Sequence, residues 1–173
     1  MPKDMRSFLD HAGDMVLEVD KPVKRKDLST LIVQAKRPVM FNNIEDHPDW
    51  RVSDLFFRDR EAQAAVLETT ADKVVSVLAE RLSMPPQETR LVNTAPHKAR
   101  FLQGDDIDLR GIPGFQHGER DPGPGIIVMN ICREPDGGEV NFSFTRLSPF
   151  EARRATMLIA SSPHQRAIYE QWE

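Results

Sequence analysis

Three consecutive stretches decide the fold: Gly125-Ile126-Ile127-Val128-Met129-Asn130-Ile131-Cys132, then Pro135-Asp136-Gly137-Gly138, then Val140-Asn141-Phe142-Ser143-Phe144-Thr145-Arg146. The first is apolar on both faces, the pattern of a strand buried on both sides. The second collects residues that accept a positive φ and reads as a turn. The third alternates, with Val140, Phe142 and Phe144 on one face and Asn141, Ser143 and Thr145 on the other. Two such runs around such a turn form a β-hairpin. A third strand is expected over Ala155 to Ala160. Ser162-Pro163 then signs a helix start, with serine at the cap and proline at the first helical position. His164 falls in its first turn, and Ala167, Ile168 and Trp172 supply its apolar face.

Upstream of the hairpin the character changes. Residues 103–125 hold six glycines and three prolines among many charges and read as a long loop. Before it the pattern is mixed helix and strand. Asp4 can cap a short helix bearing Met5, Phe8 and Leu9, which Gly13 can end. Met15 to Val19 alternates like a strand. Leu28, Leu31, Ile32 and Ala35 mark one helix face, Pro38 stops that helix, and Val39-Met40-Phe41 opens another strand closed by Asn42-Asn43. Further helices are expected from Ser53 to Leu67, capped by Ser53 or Asp54, and from Ala71 to Leu82, with Val74, Val75, Leu78 and Leu82 inward. Pro85-Pro86 ends that run. The fold class is therefore α+β (mixed α/β), with a small α/β unit over residues 1–100 and a β-rich stretch over 101–173.

Composition narrows the function classes. With 173 residues, 39% hydrophobic and 29% charged, the chain reads as globular and large enough to bury a core without staples. The single cysteine, Cys132, excludes an internal disulfide framework and a cysteine-rich zinc site, and makes the cytoplasm the expected location. A net charge of -4 argues against a nucleic-acid partner. No apolar stretch approaches the ~18 residues of a membrane span, and Met1-Pro2-Lys3-Asp4 does not open a signal peptide.

Few residues stand out as chemistry. The five histidines, His11, His47, His97, His117 and His164, show no helical zinc spacing. His164 differs from the rest because a helix N-terminus presents free N–H groups and suits a phosphate. The polar row Asn141, Ser143 and Thr145 reads either as the wet side of a half-exposed sheet, which patterning alone favours, or as the polar wall of a ligand site. Arg146 could hold a phosphate or carboxylate bidentately, or be an ordinary surface arginine. Lys21 to Lys26 reads as a solvated basic linker. Asp105-Asp106-Ile107-Asp108 lacks the spacing of a calcium loop. Gly123-Pro124-Gly125 lacks the lysine of a phosphate loop. Cys132 reads as a small packed hydrophobe.

Taken in order, several stretches resemble a known family. Asn141-Phe142-Ser143-Phe144-Thr145-Arg146, then Pro163-His164 and Trp172, resemble the Asn-x-Ser-x-x-Arg strand and following histidine of the UbiD-like decarboxylases, which use prenylated FMN. The interval of 23 residues from Asn141 to His164 is the family's own. Asp4-Met5-Arg6-Ser7-Phe8-Leu9, Pro38 to Ile44, and Gly104 to Leu109 with Ile112-Pro113 resemble further family segments. The resemblance implies that residues 101–173 begin a split β-barrel FMN-binding domain. It implies that Asn141 and His164 hold a divalent metal, usually manganese, bridging to the cofactor phosphate; oxygen and imidazole ligands suit that ion. Phe142, Ser143 and Phe144 would lie in the cofactor-binding strand, Phe142 offering its backbone carbonyl to a monovalent cation such as K+. Arg146 would be the catalytic arginine beside flavin and substrate carboxylate.

The departures bear equally on function. The family's third metal ligand and two catalytic glutamates lie downstream of His164, and the sequence stops before them. It also stops before the family's C-terminal domain. Ile126 stands where a threonine is common, and Asp54-Leu55-Phe56-Phe57 lacks a family glycine. Strict alternation also places Asn141 and Arg146 on opposite faces, which calls for a bulge or for a cofactor that wraps the strand end. The expected function is the N-terminal portion, or a small subunit, of a UbiD-like lyase acting reversibly on an aromatic or α,β-unsaturated carboxylic acid. By itself the chain would lack the acid/base glutamates. The alternative is a non-catalytic flavin-phosphate-binding or assembly module that docks a larger decarboxylase subunit, helped by a sheet edge left open. A larger subunit or a homo-oligomer is the expected partner, and neither nucleic acid nor membrane is expected.

Overall fold

The computed structural model describes residues 4–54, 58–86, 88, 91–116, 118, 120–121, 123–159 and 163–173. His117, Leu55-Phe56-Phe57, the Met1-Pro2-Lys3 start, Ala160 and the expected Ser162 cap lie outside them. The chain divides into two compact units, residues 1–102 and 103–173.

The first unit begins with α1 (Met5–Ala12). Asp4 and Ser7 cap it reciprocally: the Asp4 carboxylate accepts from Ser7 N at 2.8 Å, and Asp4 N donates to Ser7 Oγ at 3.1 Å. This satisfies two of the donors a helix start leaves unpaired. Gly13 ends the helix at φ 47°, a conformation that favours a residue without a Cβ. The strand that follows, β1 (Leu17–Val19), starts two residues later than expected, because Gly13–Met15 form a 3-10 turn. α2 (Leu28–Ala35) then crosses to β2 (Val39–Phe41), which runs parallel to β1; a short β3 (Val52–Ser53) closes the sheet antiparallel to β2.

Three helix expectations need correction. The helix expected from Ser53 begins instead at Asp59, whose side chain accepts from Ala62 N, giving α3 (Arg60–Leu67). Asp54 does not cap it. Its carboxylate accepts from Val39 N at 2.8 Å and from Arg58 Nη1 at 2.7 Å, joining β2 to the segment after β3. The helix expected over Ala71–Leu82 is a 3-10 turn leading into α4 (Val74–Ser83). There only Val74 is buried, while Val75, Leu78 and Leu82 face outward. The core of this unit is Phe8, Val16, Val23, Leu28, Val39, Met40, Phe41, Ile44, Val52, Ala62, Ala64 and Val74.

The second unit is built on the expected hairpin. β4 (Ile126–Arg133) pairs antiparallel with β5 (Val140–Glu151), and β6 (Arg154–Met157) pairs with β5 on its other side. β5 is longer than expected and β6 ends earlier, at Met157. The register is continuous from Leu147↔Ile126 to Val140↔Arg133, and the one irregularity lies at Pro149/Glu151. α5 (Pro163–Trp172) follows. Its buried residues are Gln165 and Ile168, whereas Ala167 and Trp172 are exposed; Trp172 Nε1 nevertheless donates to Arg133 O at 2.8 Å, tying the helix end to the end of β4. The loop expected over 103–125 contains two 3-10 turns, Gly104–Asp106 and Leu109–Gly111, and Leu109 N donates to Ala152 O at 2.8 Å.

Candidate functional site

The sheet of the second unit has two unlike faces. On one lie Ile127, Met129 and Ile131 of β4 beside Phe144, Phe142 and Val140 of β5, in direct register. All six side chains are exposed, Phe144 at 72%. On the other lie Val128, Asn130 and Cys132 of β4 beside Thr145, Ser143 and Asn141 of β5. This face is the more covered one. The expectation of a strand buried on both sides, and of a wet polar row, is therefore reversed: among the described residues the polar row is half-buried to buried and the apolar row is exposed. Alternation separates two faces but says nothing about which one a helix covers.

The enclosed polar row is partly satisfied from outside the sheet. Ser143 Oγ donates to Gln165 Oε1 at 2.6 Å, and Gln165 is 2% exposed. Thr145 Oγ1 donates to the Leu158 carbonyl at 3.0 Å. Asn141 Nδ2 and Asn130 Nδ2 are buried with no hydrogen-bond partner among the described residues. In the register Asn130 faces Ser143 and Asn141 faces Cys132, so the two asparagines are diagonal neighbours on one face. A buried donor left unpaired costs about 1–3 kcal/mol. Two together mark a place where an acceptor from a ligand would remove a penalty.

This bears on the cofactor that the resemblance implies. A carboxamide whose nitrogen has no protein acceptor can turn its oxygen to a hard cation or its N–H groups to a phosphate. Asn141 fits that need. His164 is exposed in the first turn of α5, one residue from buried Gln165. Among the described residues no three His, Cys, Asp or Glu side chains cluster as a metal site. What the described residues offer is thus a pair of candidate ligands, Asn141 and His164, and two unpartnered amide donors, Asn141 Nδ2 and Asn130 Nδ2. Phe142 and Phe144 point to the opposite face and offer this side only backbone groups.

Arg146 is also on the opposite face, across from Ile127. The register between Asn141 and Arg146 is unbroken, so no bulge brings them together. Arg146 Nη1 and Nη2 donate to the two oxygens of Asp121 at 3.2 and 2.5 Å, and Nη2 also donates to the Gly123 carbonyl at 2.5 Å. Gly125 makes room for this: a Cβ there would stand 2.0 Å from Arg146 Nε. Of the other histidines, His11 and His97 are exposed, and His47 is half-buried with its Nε2 3.5 Å from Arg25 Nη1.

Sequence reasoning missed Asn130, Gln165 and Asp121. Asn130 carried a usable signal, as the one amide in an apolar run. Gln165 and Asp121 carried none, because a glutamine in a helix and an acid in a Gly/Pro-rich loop are ordinary surface residues.

Comparisons with known proteins bear on the fold. Residues 90–173 match the model of the 3-octaprenyl-4-hydroxybenzoate carboxy-lyase Rift-related domain, UbiD. No curated protein matches the chain by sequence. Among solved structures, the chain is similar to an evolved dimeric form of the UbiD-class enzyme HmfF from Pelotomaculum thermopropionicum in complex with prFMN. That match has 27% identity and a TM-score of 0.81, over 97% of this chain and 40% of that one. It is also similar in fold to the vanillic acid decarboxylase of Sedimentibacter hydroxybenzoicus, with 19% identity and a TM-score of 0.83 over 98% of this chain and 39% of that one. The 3,4-dihydroxybenzoic acid decarboxylase of Klebsiella pneumoniae shares the fold at 18% identity and a TM-score of 0.74, over 96% of this chain and 38% of that one. The chain therefore spans about two fifths of the length of the structures it matches. Residues 90–173 thus match the UbiD Rift-related domain, and the chain as a whole shares the fold of UbiD-class enzymes.

Proposed function

We propose that this chain is the flavin-phosphate-holding portion of a UbiD-like decarboxylase, working on an aromatic or α,β-unsaturated carboxylic acid in the cytoplasm. The observation that carries the reading is the pair of unpartnered amide donors, Asn141 Nδ2 and Asn130 Nδ2, on the sheet face covered by α5. Asn141 and His164 would hold a manganese ion against the phosphate of prenylated FMN, with the Phe142 carbonyl available to K+. The cofactor, when bound, supplies the electron sink for breaking the carboxyl bond. The chain's own residues bind and orient: Ser143 and Gln165 set β5 against α5, and Arg146 presents a cation to a carboxylate. Arg146 lies across the sheet from Asn141, so a flavin serving both would pass the strand end. Catalytic acid/base glutamates would come from beyond these residues.

A second reading has its own support. The six exposed apolar side chains from Ile127 to Phe144 form a sheet face that no described residue covers as a second layer, and layered folds bury such faces. A face of this kind suits an assembly module that docks a larger decarboxylase subunit or another copy of itself.

Titrating the chain with FMN and Mn2+ tests the first reading. Flavin fluorescence and the Mn2+ electron paramagnetic resonance signal should both report binding, and Asn141→Ala or His164→Ala should abolish it. Retention of binding in both variants would sink the assignment. Decarboxylase activity that appears only with a flavin-binding larger subunit, while this chain binds no flavin, would favour the second.

A further inference from the structure

Arg146 has five N–H donors, and the fold has already spent most of them. One Nη1 hydrogen and two Nη2 hydrogens go to Asp121 Oδ2, Asp121 Oδ1 and the Gly123 carbonyl, at 3.2, 2.5 and 2.5 Å. The Nε hydrogen is buried against Gly125 without a partner. One Nη1 hydrogen has no partner among the described residues. An incoming carboxylate can therefore gain only one bond unless Asp121 leaves.

Strong recognition of a carboxylate by arginine uses two parallel N–H···O bonds. Asp121 makes that bidentate contact now, with the same functional group an acid ligand would bring. Its side chain is 7% exposed, against 32% for Arg146, so the acid is sheltered while the guanidinium stays partly open. Arg146 shares its strand face with the bare apolar row: Ile127 stands opposite it and Phe144 two residues along. Beside the fork there is thus an apolar floor suited to a flat hydrophobic body.

We propose that Asp121 is an internal carboxylate occupying the anion fork of Arg146, and that an aromatic carboxylate binds this chain by displacing it. The proposal rests on the reading of Arg146 as a carboxylate holder. Asp121 is then a positioning and specificity residue. It keeps the guanidinium extended across the sheet end, and it sets a threshold that weakly bound acids do not pass. Ligands with an apolar ring gain contact with Phe144 and Ile127 as they displace it, whereas small aliphatic acids gain none.

Benzoate is the probe, followed by chemical-shift titration of the full chain at fixed ionic strength. Asp121→Asn should bind benzoate at least tenfold more tightly than the unaltered chain, and adding Arg146→Gln should remove that gain. In the unaltered chain, saturating benzoate should move the side-chain carboxyl 13C resonance of Asp121, a readout that needs no variant to fold. Unchanged or weaker benzoate binding by Asp121→Asn, or an unmoved Asp121 resonance at saturation, overturns the proposal. If Arg146→Gln removes benzoate binding while Asp121→Asn leaves it unchanged, the displacement idea fails and the role of Arg146 stands. If Arg146→Gln leaves benzoate binding intact, both fail.

Discussion

Ser143 Oγ donates a 2.6 Å hydrogen bond to Gln165 Oε1, joining the strand that carries Asn141 to the helix that carries His164. Ser143 is two residues from Asn141, and Gln165 directly follows His164. This bond and the one from Trp172 Nε1 to Arg133 O tie the helix that carries His164 to the sheet that carries Asn141. Gln165→Leu leaves the Ser143 hydroxyl under the helix without its acceptor, which costs about 1–3 kcal/mol. Ser143→Ala strands the Gln165 carbonyl at similar cost. The double variant should lose less than the sum, with a coupling of about 0.5–1.5 kcal/mol. Urea unfolding in a Trp50→Phe background, where Trp172 reports residues 103–173, measures all three; additive losses would show that the bond contributes nothing.

The bare apolar face predicts an unusual tolerance. Phe144 is large but 72% exposed, so Phe144→Ser should change the stability of the isolated chain by no more than about 0.5 kcal/mol. Phe8 is fully buried with Val16 and Met40 around it, and Phe8→Ala should cost about 3–5 kcal/mol. Phe144→Ser should instead reduce self-association and dye binding, because it breaks the exposed patch. Unfolding curves and sedimentation together check this. A large stability loss for Phe144→Ser would mean the face is covered in solution.

What could be read from the sequence follows from what each kind of pattern encodes. The hairpin is legible because a period of two and a Pro-Asp-Gly-Gly turn are local features. The Asp4 cap and the Gly13 stop are legible for the same reason. Burial is not local. Val75, Leu78 and Leu82 share a helical face, yet all three are exposed among the described residues, so periodicity alone misassigns them. The same holds for Phe142 and Phe144. The candidate ligands Asn141 and His164 come from the family resemblance, whereas Gln165 and Asp121 acquire meaning only when β5 meets α5 and the loop meets Arg146.

The cap of α1 carries a pH dependence. The Asp4 carboxyl is held below its usual value of 3.8, first by the hydrogen bond from the Ser7 backbone N–H and then by the Ser7 hydroxyl. A depressed folded-state pKa contributes stability that is present above the unfolded value and lost as pH falls through the folded one. Asp4→Ala should therefore lower the melting temperature at neutral pH. The difference from the unaltered chain should shrink once pH drops below about 3.8. Thermal scans of both proteins from pH 7 to pH 2.5 test this, and a difference that persists at the acid end would refute the cap's charge as its cause.

Asn141 offers the sharpest separation of binding from stability. Its Nδ2 is buried and unpaired, so the fold bears a cost that no protein acceptor offsets. Asn141→Ala removes that cost and leaves a small cavity, and the two effects oppose each other. Stability should then move by less than about 1 kcal/mol, while affinity for FMN with Mn2+ falls at least tenfold, a change worth about 1.4 kcal/mol. A polar residue that served only to hold the fold would behave the other way round, losing stability and leaving ligand binding intact. Unfolding by urea and flavin titration on the same preparation separate the two cases. A loss above about 2 kcal/mol with unchanged flavin affinity would show that Asn141 is a structural residue and that the site lies elsewhere.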